Sequence, residues 1–447
     1  MAYPSGDSIG PLAAALANAV AEEWAHLAER PAARPGAVIP EDPLALTGDG
    51  VGESEALSMF FDQIAPHLSG GIGPHYAGYV TGGVTPAGLM GDWLTSAFDN
   101  NAAFSTDGAA GQFEKSTIAM LVDLLRLPTH LGGTLTTGAT AASTVALAVA
   151  RQWAGEQQGI DSAKVGSPYG LAALSGSAHS SIAKAMGVVG LGSSNVVALR
   201  NQSGRESVDL VELRQALTKR ASAPTIVIAN AGTVITGDSD DIAAIVALRE
   251  EFDFWLHVDA AFGGFAALLP SDTRLQGWER ADSITVDLHK WLNVPYDSGL
   301  VLLQNPQVLP RVFGNHASYL ADESQPMDSG VENSRRMRAL PIWFSLAAYG
   351  RHGIGALVAE SVASAQRFAE LVTADGRLSL AAPVHLNVVA LVSDEIDVVE
   401  LGSNLASSGN GFLSQATLNG RPVLRAAFVN WRTDPEALAA AVLEQLG

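Results

Sequence analysis

The run Phe254-Trp255-Leu256-His257-Val258-Asp259-Ala260-Ala261 is an apolar, strand-like segment that ends in a carboxylate. Downstream, a second strand-like run at 283–286 leads into Asp287-Leu288-His289-Lys290-Trp291. An aspartate and a lysine therefore stand at the ends of two predicted strands. This pair predicts pyridoxal phosphate as the cofactor. The Lys290 amine can form an imine with its aldehyde, and the Asp259 carboxylate can keep its pyridine nitrogen protonated.

Strand-like and helical stretches alternate from about residue 130 to 305. Strand-like runs occur at 171–174, 196–199, 225–229, 254–258, 283–286 and 299–303. Helical stretches follow 137–142 and occur near 179–190, 207–220 and 240–252. The alternation predicts an α/β fold with a mainly parallel sheet covered by helices on both faces. Ligands of such sheets lie beyond the carboxyl ends of strands, where Asp259 and Lys290 stand.

The two ends of the chain have other patterns. Helices are predicted at 8–29 and 53–64, and they need another body to pack on, which could be a second subunit. The tail predicts a helix at 355–374, a strand at 387–392, a hairpin with a type I′ turn at Asn419-Gly420 and a helix at 434–446. We therefore expect an N-terminal helical segment (1–75), a large α/β domain (76–345) and a small C-terminal α+β domain (346–447).

Composition excludes several classes of protein. The 447 residues are 47% hydrophobic and 16% charged, as in a compact globular protein, and no apolar stretch is long enough to span a bilayer. The absence of cysteine excludes disulfides and thiolate metal sites, and no secretory signal is evident, so a cytoplasmic location is expected. The net charge of −20 argues against nucleic-acid or membrane partners.

Two further motifs suit the same cofactor but have ordinary alternatives. The run Thr136-Thr137-Gly138-Ala139-Thr140-Ala141-Ala142-Ser143 opens a helix, and its small residues and free N–H groups can bind phosphate. The alternative is a threonine-capped helix. His179 follows a predicted strand and can stack on a flat ring, or it can simply bond to the backbone at a helix start.

Metal sites are not predicted. The acidic run Gly237-Asp238-Ser239-Asp240-Asp241-Ile242 lacks the ligand spacing of an EF-hand, and we interpret it as structural. His257 and Asp259 share a strand face, but no third ligand for zinc is evident.

Three motifs in this order resemble one family. They are Ala178-His179-Ser180-Ser181, His257-Val258-Asp259-Ala260-Ala261, and Asp282-Ser283 leading to 287–291. The chain resembles the group II pyridoxal-phosphate-dependent decarboxylases, the family of aromatic-amino-acid and glutamate decarboxylases, from about Gly73 to Arg432. The resemblance implies the aspartate-aminotransferase-like fold, fold type I, with a mainly parallel seven-stranded sheet. It also implies a homodimer with the N-terminal segment wrapped on the partner.

The resemblance implies roles for the cofactor-binding residues. Lys290 would hold the cofactor as a Schiff base, Asp259 would pair with the pyridine nitrogen, and His179 would stack on the ring. Ala261 would pack on the opposite face, and Thr233 would face the ring hydroxyl region.

Other positions match the phosphate and substrate sides. Ala139 and Thr140 match the phosphate-binding turn, and Asp287 and His289 would lie near the phosphate or the lysine. The residues that match the substrate side are Tyr79, Thr81 and Asn100.

The implied reaction is decarboxylation of an L-amino acid to the amine and carbon dioxide, through the Lys290 Schiff base and a quinonoid intermediate. Tyr319 matches a loop tyrosine that returns a proton to Cα, whereas relatives with phenylalanine there produce aldehydes. Arg338 is either part of a structural ion pair or a cofactor or substrate ligand.

The substrate is not predicted. Leu288 stands where relatives usually have proline, and the segment 100–104 lacks a pocket tryptophan that relatives often carry. The alternatives are oxidative deamination to an aldehyde, a carbon–carbon lyase, and a binding protein without turnover. Intact Lys290, Asp259, His179 and Tyr319 argue against the last.

Overall fold

The computed structural model describes residues 9–41, 45–46, 48–106, 108–314 and 325–447. Tyr319, the predicted proton donor, lies outside these residues. The helices are α1 (Ile9–Ala25), α2 (Glu53–Met59), α3 (Pro86–Phe98), α4 (Ala110–Leu124), α5 (Ala139–Gln157), α6 (Ser162–Val165), α7 (Ser180–Val188), α8 (Leu210–Lys219), α9 (Ile242–Ala247), α10 (Leu288–Trp291), α11 (Leu309–Phe313), α12 (Ala339–Thr373), α13 (Val398–Ser408) and α14 (Pro435–Glu444).

A mixed sheet forms the centre of the molecule. Its strands are β1 (Gly132–Thr136), β2 (Ala172–Ser175), β3 (Val196–Ala198), β4 (Thr225–Asn230), β5 (Trp255–Asp259), β6 (Ser283–Asp287) and β7 (Gly299–Leu303). Among the described residues these seven strands lie in the order β1-β7-β6-β5-β4-β2-β3. The pairs from β3 to β6 are parallel, and β7 is antiparallel to both β6 and β1. The predicted mainly parallel sheet is confirmed.

Helices cover both faces of this sheet. Successive residues of β4 belong to two different cores, with Ile226 and Ile228 in one and Val227 and Ala229 in the other. Because both faces are buried, β4 and β5 are mostly apolar before their last residues, and the serine and threonine of β6 are buried as well. The polar groups that the sequence places at the strand ends are therefore presented at one edge of the layer.

A second, antiparallel sheet lies near the C-terminus. It contains β8 (Ser379–Leu380), β9 (Val388–Val392), β10 (Ser414–Leu418) and β11 (Arg421–Ala427), in the order β10-β11-β9-β8. The hairpin between β10 and β11 turns at Asn419 and Gly420, whose φ angles are +51° and +81°. Positive φ at both positions is what a type I′ turn requires, so the predicted turn is confirmed.

The helix predicted at 355–374 begins much earlier in the structure. It is the end of α12, which starts at Ala339 and leaves helical geometry only at Gly350, where φ is +58°. Three glycines, at 350, 353 and 355, weaken the helical pattern in the sequence just before and at the start of the predicted range.

Helix α1 contacts the C-terminal part of the chain at Trp24, whose ring lies under the Arg432 guanidinium. No residue of α1 is buried, and Ile9 and Leu16 are exposed. The three-part division at 1–75, 76–345 and 346–447 stays a prediction. In the part of the chain that the structure describes, no helix is both long and apolar enough to cross a membrane.

His257, in the middle of β5, gives a pH-dependent contribution to stability. It is fully buried, and burial lowers the pKa of its imidazole to about 4. An unfolded histidine has a pKa of about 6.5, so the unfolded state binds more protons between these values and the free energy of unfolding falls as the pH falls. Between pH 7 and 4.5, His257 should account for about 2 kcal/mol of the fall in the free energy of unfolding. Replacing His257 with leucine should make that fall smaller by the same amount.

Urea unfolding at the two pH values measures this difference. His352→Leu, a change at an exposed position of α12, is the control and should leave the pH dependence as in the parent protein. An equal pH dependence in the His257 variant and the parent would contradict the assignment.

Candidate active site

Asp259 is the last residue of β5, in the parallel part of the larger sheet. Its side chain is buried, and the backbone N–H of Ala261 donates to its Oδ1 at 3.1 Å. Its register partners on the neighbouring strands are Asn230 and Thr285. The carboxylate is thus fixed at the carboxyl end of a central strand.

Lys290 follows the next strand, on the short helix α10. Its Nζ lies 2.8 Å from Oδ2 of Asp287, the last residue of β6. The other oxygen of Asp287 accepts the backbone N–H of Ala139 at 2.5 Å. One carboxylate therefore holds the lysine amine beside the start of α5.

The start of α5 is a tight turn at Gly138, whose φ is +156°. A Cβ atom there would lie 3.2 Å from Cε1 of His289 and 3.3 Å from Oδ1 of Asp287, so only glycine fits without displacing them. The first-turn N–H groups of Thr140 and Ala141 have no carbonyl acceptor within the helix. These groups and the positive end of the helix dipole make an anion site.

His179 is the N-cap residue of α7. Its Nδ1 lies 2.8 Å from the Ser181 hydroxyl oxygen and accepts the Ser181 backbone N–H at 3.2 Å. Burial lowers the pKa of His179, and the neighbouring Asp259 carboxylate opposes that effect. His179 therefore caps a helix and also lines the cavity described next. Bonding to the backbone at the helix start is compatible with a role in stacking on a flat ring.

A cavity of about 700 Å³ brings the predicted cofactor residues together. Nine of them line it: Ala139, Thr140, His179, Thr233, Asp259, Ala261, Asp287, His289 and Lys290.

This set of groups fits pyridoxal phosphate. The helix start offers N–H donors to a phosphate, a buried carboxylate faces the same cavity as a lysine amine, and an imidazole borders the space between them. Small residues, Gly138, Ala139 and Ala261, leave room for a flat ring near these groups.

Residues 35–393 match the family model described as "Pyridoxal-dependent decarboxylase conserved domain". The chain belongs to this family. It is 29% identical over 393 residues to an aromatic-L-amino-acid decarboxylase of Bacillus atrophaeus, covering 83% of this chain and 80% of that protein. It is 31% identical over 353 residues to an L-2,4-diaminobutyrate decarboxylase of Rhizobium meliloti, covering 75% of this chain and 69% of that protein.

Solved structures agree in fold. The crystal structure of Oryza sativa TDC with PLP and tryptamine superposes with a TM-score of 0.91 at 23% identity, covering 100% of this chain and 99% of that one. Rhodiola rosea 4-hydroxyphenylacetaldehyde synthase gives 0.88 at 25% identity, covering 99% and 98%. The predicted family, fold type I, cofactor and enzyme class are confirmed: the protein is a pyridoxal-phosphate-dependent amino acid decarboxylase.

The three residues predicted to lie on the substrate side are not among those that line the cavity. Tyr79 is 62% exposed and packs on Phe412, with ring centroids 5.8 Å apart. Asn100 is exposed, and its side-chain amide donates to the Phe98 carbonyl. Thr81 lies beside Tyr296, which does line the cavity. The substrate roles of Tyr79, Thr81 and Asn100 stay predictions.

Two of the cavity residues that were not predicted have ionisable side chains, Tyr296 and Glu206. Tyr296 packs against His289 with ring centroids 4.3 Å apart, and burial raises the pKa of its hydroxyl. Glu206 lies in a polar turn between β3 and α8. Only its closeness to Lys290 along the chain could have indicated that Tyr296 lies at the cavity. Nothing in the sequence indicated this for Glu206.

Arg338, whose role the sequence left open, pairs with carboxylates. Its guanidinium donates to Glu332 at 2.9 and 3.0 Å and to Asp297 at 2.9 Å. Arg338 is not among the residues that line the cavity. Among the described residues, no group of three or more acidic or histidine side chains could hold a metal ion.

Asn293 joins three segments of the decarboxylase beside Lys290. Its Oδ1 accepts the backbone N–H groups of Gly83 and Trp431 at 3.0 and 3.1 Å. Its Nδ2 donates to the carbonyls of Lys290 and Val429 at 3.3 and 3.0 Å, and to that of Trp291. This fully buried amide links the Lys290 helix to the segments before α3 and after β11.

Proposed function

We propose that Lys290, Asp259 and His179 carry out the decarboxylation of an L-amino acid to its amine and carbon dioxide. This proposal rests on one observation. A strand-end carboxylate, a lysine amine and an imidazole line the same cavity, and the start of a helix lines it too. When bound, pyridoxal phosphate supplies an electron sink for the pair released by the Cα–carboxylate bond.

Asp259 would accept a hydrogen bond from the protonated ring nitrogen, and Thr233 would lie on the ring hydroxyl side. Because Asp259 is buried and held by the Ala261 N–H, its charge is poorly screened by water and acts strongly on a nearby proton. His179 and Ala261 would bound the two faces of the ring.

The phosphate would bind at the start of α5. Ala139 and Thr140 lie in its first turn, where the free N–H groups and the helix dipole favour an anion. Asp287 accepts from both Lys290 and the Ala139 N–H, so it orients the amine relative to that site. His289 lies in contact with the same turn at Gly138.

Proton return to Cα is assigned to Tyr319. A tyrosine hydroxyl can donate that proton, which completes simple decarboxylation to the amine. The alternative product is an aldehyde, as the name of the Rhodiola rosea relative indicates for that enzyme.

We also propose a cytoplasmic homodimer, with Tyr79, Thr81 and Asn100 on the substrate side of the completed site. The support for a dimer is α1, an unburied helix with exposed Ile9 and Leu16. The exposure of Tyr79 and Asn100 leaves both available to a partner subunit or a substrate.

Purified protein loaded with pyridoxal phosphate tests the reaction. Aromatic amino acids, histidine and 2,4-diaminobutyrate, the substrates that relatives' names suggest, would be supplied one at a time. We expect amine and carbon dioxide in equal amounts. Aldehyde with ammonia and peroxide would favour the alternative, and no carbon dioxide from any amino acid would reject the proposal.

A further inference from the structure

Thr233 is the residue that the proposed function places beside the ring hydroxyl of the cofactor, and its own hydroxyl is already bonded inside the protein. Thr233 is buried and lines the cavity. Its hydroxyl oxygen lies 2.7 Å from Oε2 of Glu206, and the backbone N–H of Asp238 donates to it at 3.1 Å. Two hydrogen-bonding positions of this hydroxyl are therefore used by the protein itself.

Glu206 is the acceptor in this arrangement. Its Oε2 also lies 2.7 Å from the Thr236 hydroxyl oxygen and accepts the Thr236 backbone N–H at 3.0 Å. A backbone N–H can only donate, so this carboxylate oxygen is fixed as an acceptor. Oxygen atoms approach one another to 2.7 Å when a hydrogen lies between them, so each threonine hydroxyl directs its hydrogen to Glu206.

The surroundings of Glu206 keep its side chain in place. The residue is 8% exposed, and it interacts electrostatically with Arg425, on β11, and with His385. Arg425 is itself buried and donates to the Val234 carbonyl and the Ser414 hydroxyl. The carboxylate of Glu206 thus has a cationic neighbour on the protein, and its three hydrogen bonds fix its orientation.

The hydrogen bonds of Thr233 determine what it can offer to a ligand. A threonine hydroxyl has one hydrogen and two lone pairs. Here the hydrogen is directed to Glu206 and one lone pair receives the Asp238 N–H, so one lone pair is left. Thr233 can therefore accept a hydrogen bond from the cavity but cannot donate one to it. A ligand oxygen beside Thr233 is stabilised when it carries a hydrogen, and not when it is an anion.

We propose that Glu206 is a positioning residue that makes Thr233 an acceptor toward the cofactor, so that the ring hydroxyl keeps its hydrogen. This inference rests on the proposed function, which places the ring hydroxyl beside Thr233. In the bound cofactor one hydrogen can lie either on this oxygen or on the imine nitrogen at Lys290. A hydrogen bond to Thr233 favours the first arrangement, in which the imine is neutral.

Absorption spectra of the holoenzyme without substrate report the position of that hydrogen. The neutral imine absorbs in the near ultraviolet, and the protonated imine absorbs in the visible. Glu206→Met should free the Thr233 hydrogen to turn toward the ring oxygen. We expect the ratio of the ultraviolet band to the visible band to fall on the order of 5-fold, since one hydrogen bond reverses its direction.

Two variants separate this effect from a general disturbance of the turn. In Glu206→Gln the Thr236 backbone N–H still needs an acceptor, so the amide oxygen should take the place of Oε2 and accept from Thr233. Thr236→Val removes the other hydroxyl from the same oxygen, and Thr236 does not line the cavity. Both variants should keep the ratio of bands found in the parent protein.

Thr233→Val gives the sign of the effect independently. If Thr233 accepts from the ring hydroxyl, its loss should lower the ratio of the ultraviolet band to the visible band, whereas the loss of a donor would raise it. Adding Glu206→Met to Thr233→Val should change the ratio no further, because Glu206 acts through this hydroxyl. This comparison with the parent decides the matter even if Glu206→Met does not fold.

Three results would overturn the proposal. They are a ratio that rises in Thr233→Val, a Glu206→Met variant with the parent ratio, and a Glu206→Gln variant that shifts as far as Glu206→Met. The last would assign the effect to the charge of Glu206 rather than to its hydrogen bond.

Failure of this inference is distinct from failure of the proposed function. The spectra are recorded without an amino acid, so they do not depend on which substrate is decarboxylated. Carbon dioxide release by a protein whose spectrum is insensitive to Thr233 and Glu206 would uphold the proposed function and reject the inference. The expected spectral changes in a protein that releases no carbon dioxide would do the reverse.

Discussion

Lys290→Ala is expected to lower the rate of decarboxylation by at least about 1000-fold. The substitution removes the amine that lies 2.8 Å from Asp287 in the cavity, so no covalent bond to the cofactor aldehyde can form. Borohydride reduction followed by mass spectrometry of the digested protein measures that bond directly. The parent protein should carry the cofactor on the peptide that contains Lys290, and the variant should carry none.

Lys184→Ala, at an exposed position of α7, is the matched control. It should retain both the adduct and the activity. An adduct on another lysine of the parent, or full activity without Lys290, would contradict the assignment of the cofactor-binding lysine.

Asp259→Asn should lower kcat by about 100-fold to 10,000-fold while leaving the protein folded. Asparagine keeps the oxygen that accepts the Ala261 N–H, but it carries no charge to hold a proton on the ring nitrogen. The electron pair from the broken carbon–carbon bond is then less well stabilised. Steady-state kinetics with the cofactor content measured in the same sample separates slow chemistry from lost cofactor.

Asp209→Asn is a suitable control for this substitution. Asp209 caps α8 by accepting the N–H groups of Val211 and Glu212, and asparagine can do the same. It should leave kcat unchanged. An Asp259→Asn variant with a normal kcat and a full complement of cofactor would remove Asp259 from the mechanism.

The centre of the site could be predicted because it depends on local patterns. Parallel strands buried on both faces are continuous apolar runs, and their ends are marked by the first charged residue. That is why Asp259 and Lys290 could be placed at adjacent strand ends. The edge strand Gly132–Thr136 was missed, because its two glycines resemble a loop and its pairing with Gly299–Leu303 is distant in sequence.

The walls of the site could not be predicted, since they depend on how distant loops meet. Glu206 follows Gly204 and Arg205 in a polar turn that has the composition of any surface loop. It faces the cavity only because Thr233 and Thr236, after another strand, fold back to bind it. Likewise, Tyr79 matches a substrate-side segment in sequence, but its packing on Phe412 is set by the C-terminal sheet.

The hydrogen bonds of Asn293 have a mechanical consequence. One side chain bonds to the Lys290 helix and to the segment that leaves the C-terminal sheet, so these two parts cannot separate at that point. A displacement of the smaller sheet at this point would therefore have to break these hydrogen bonds or carry the Lys290 backbone with it.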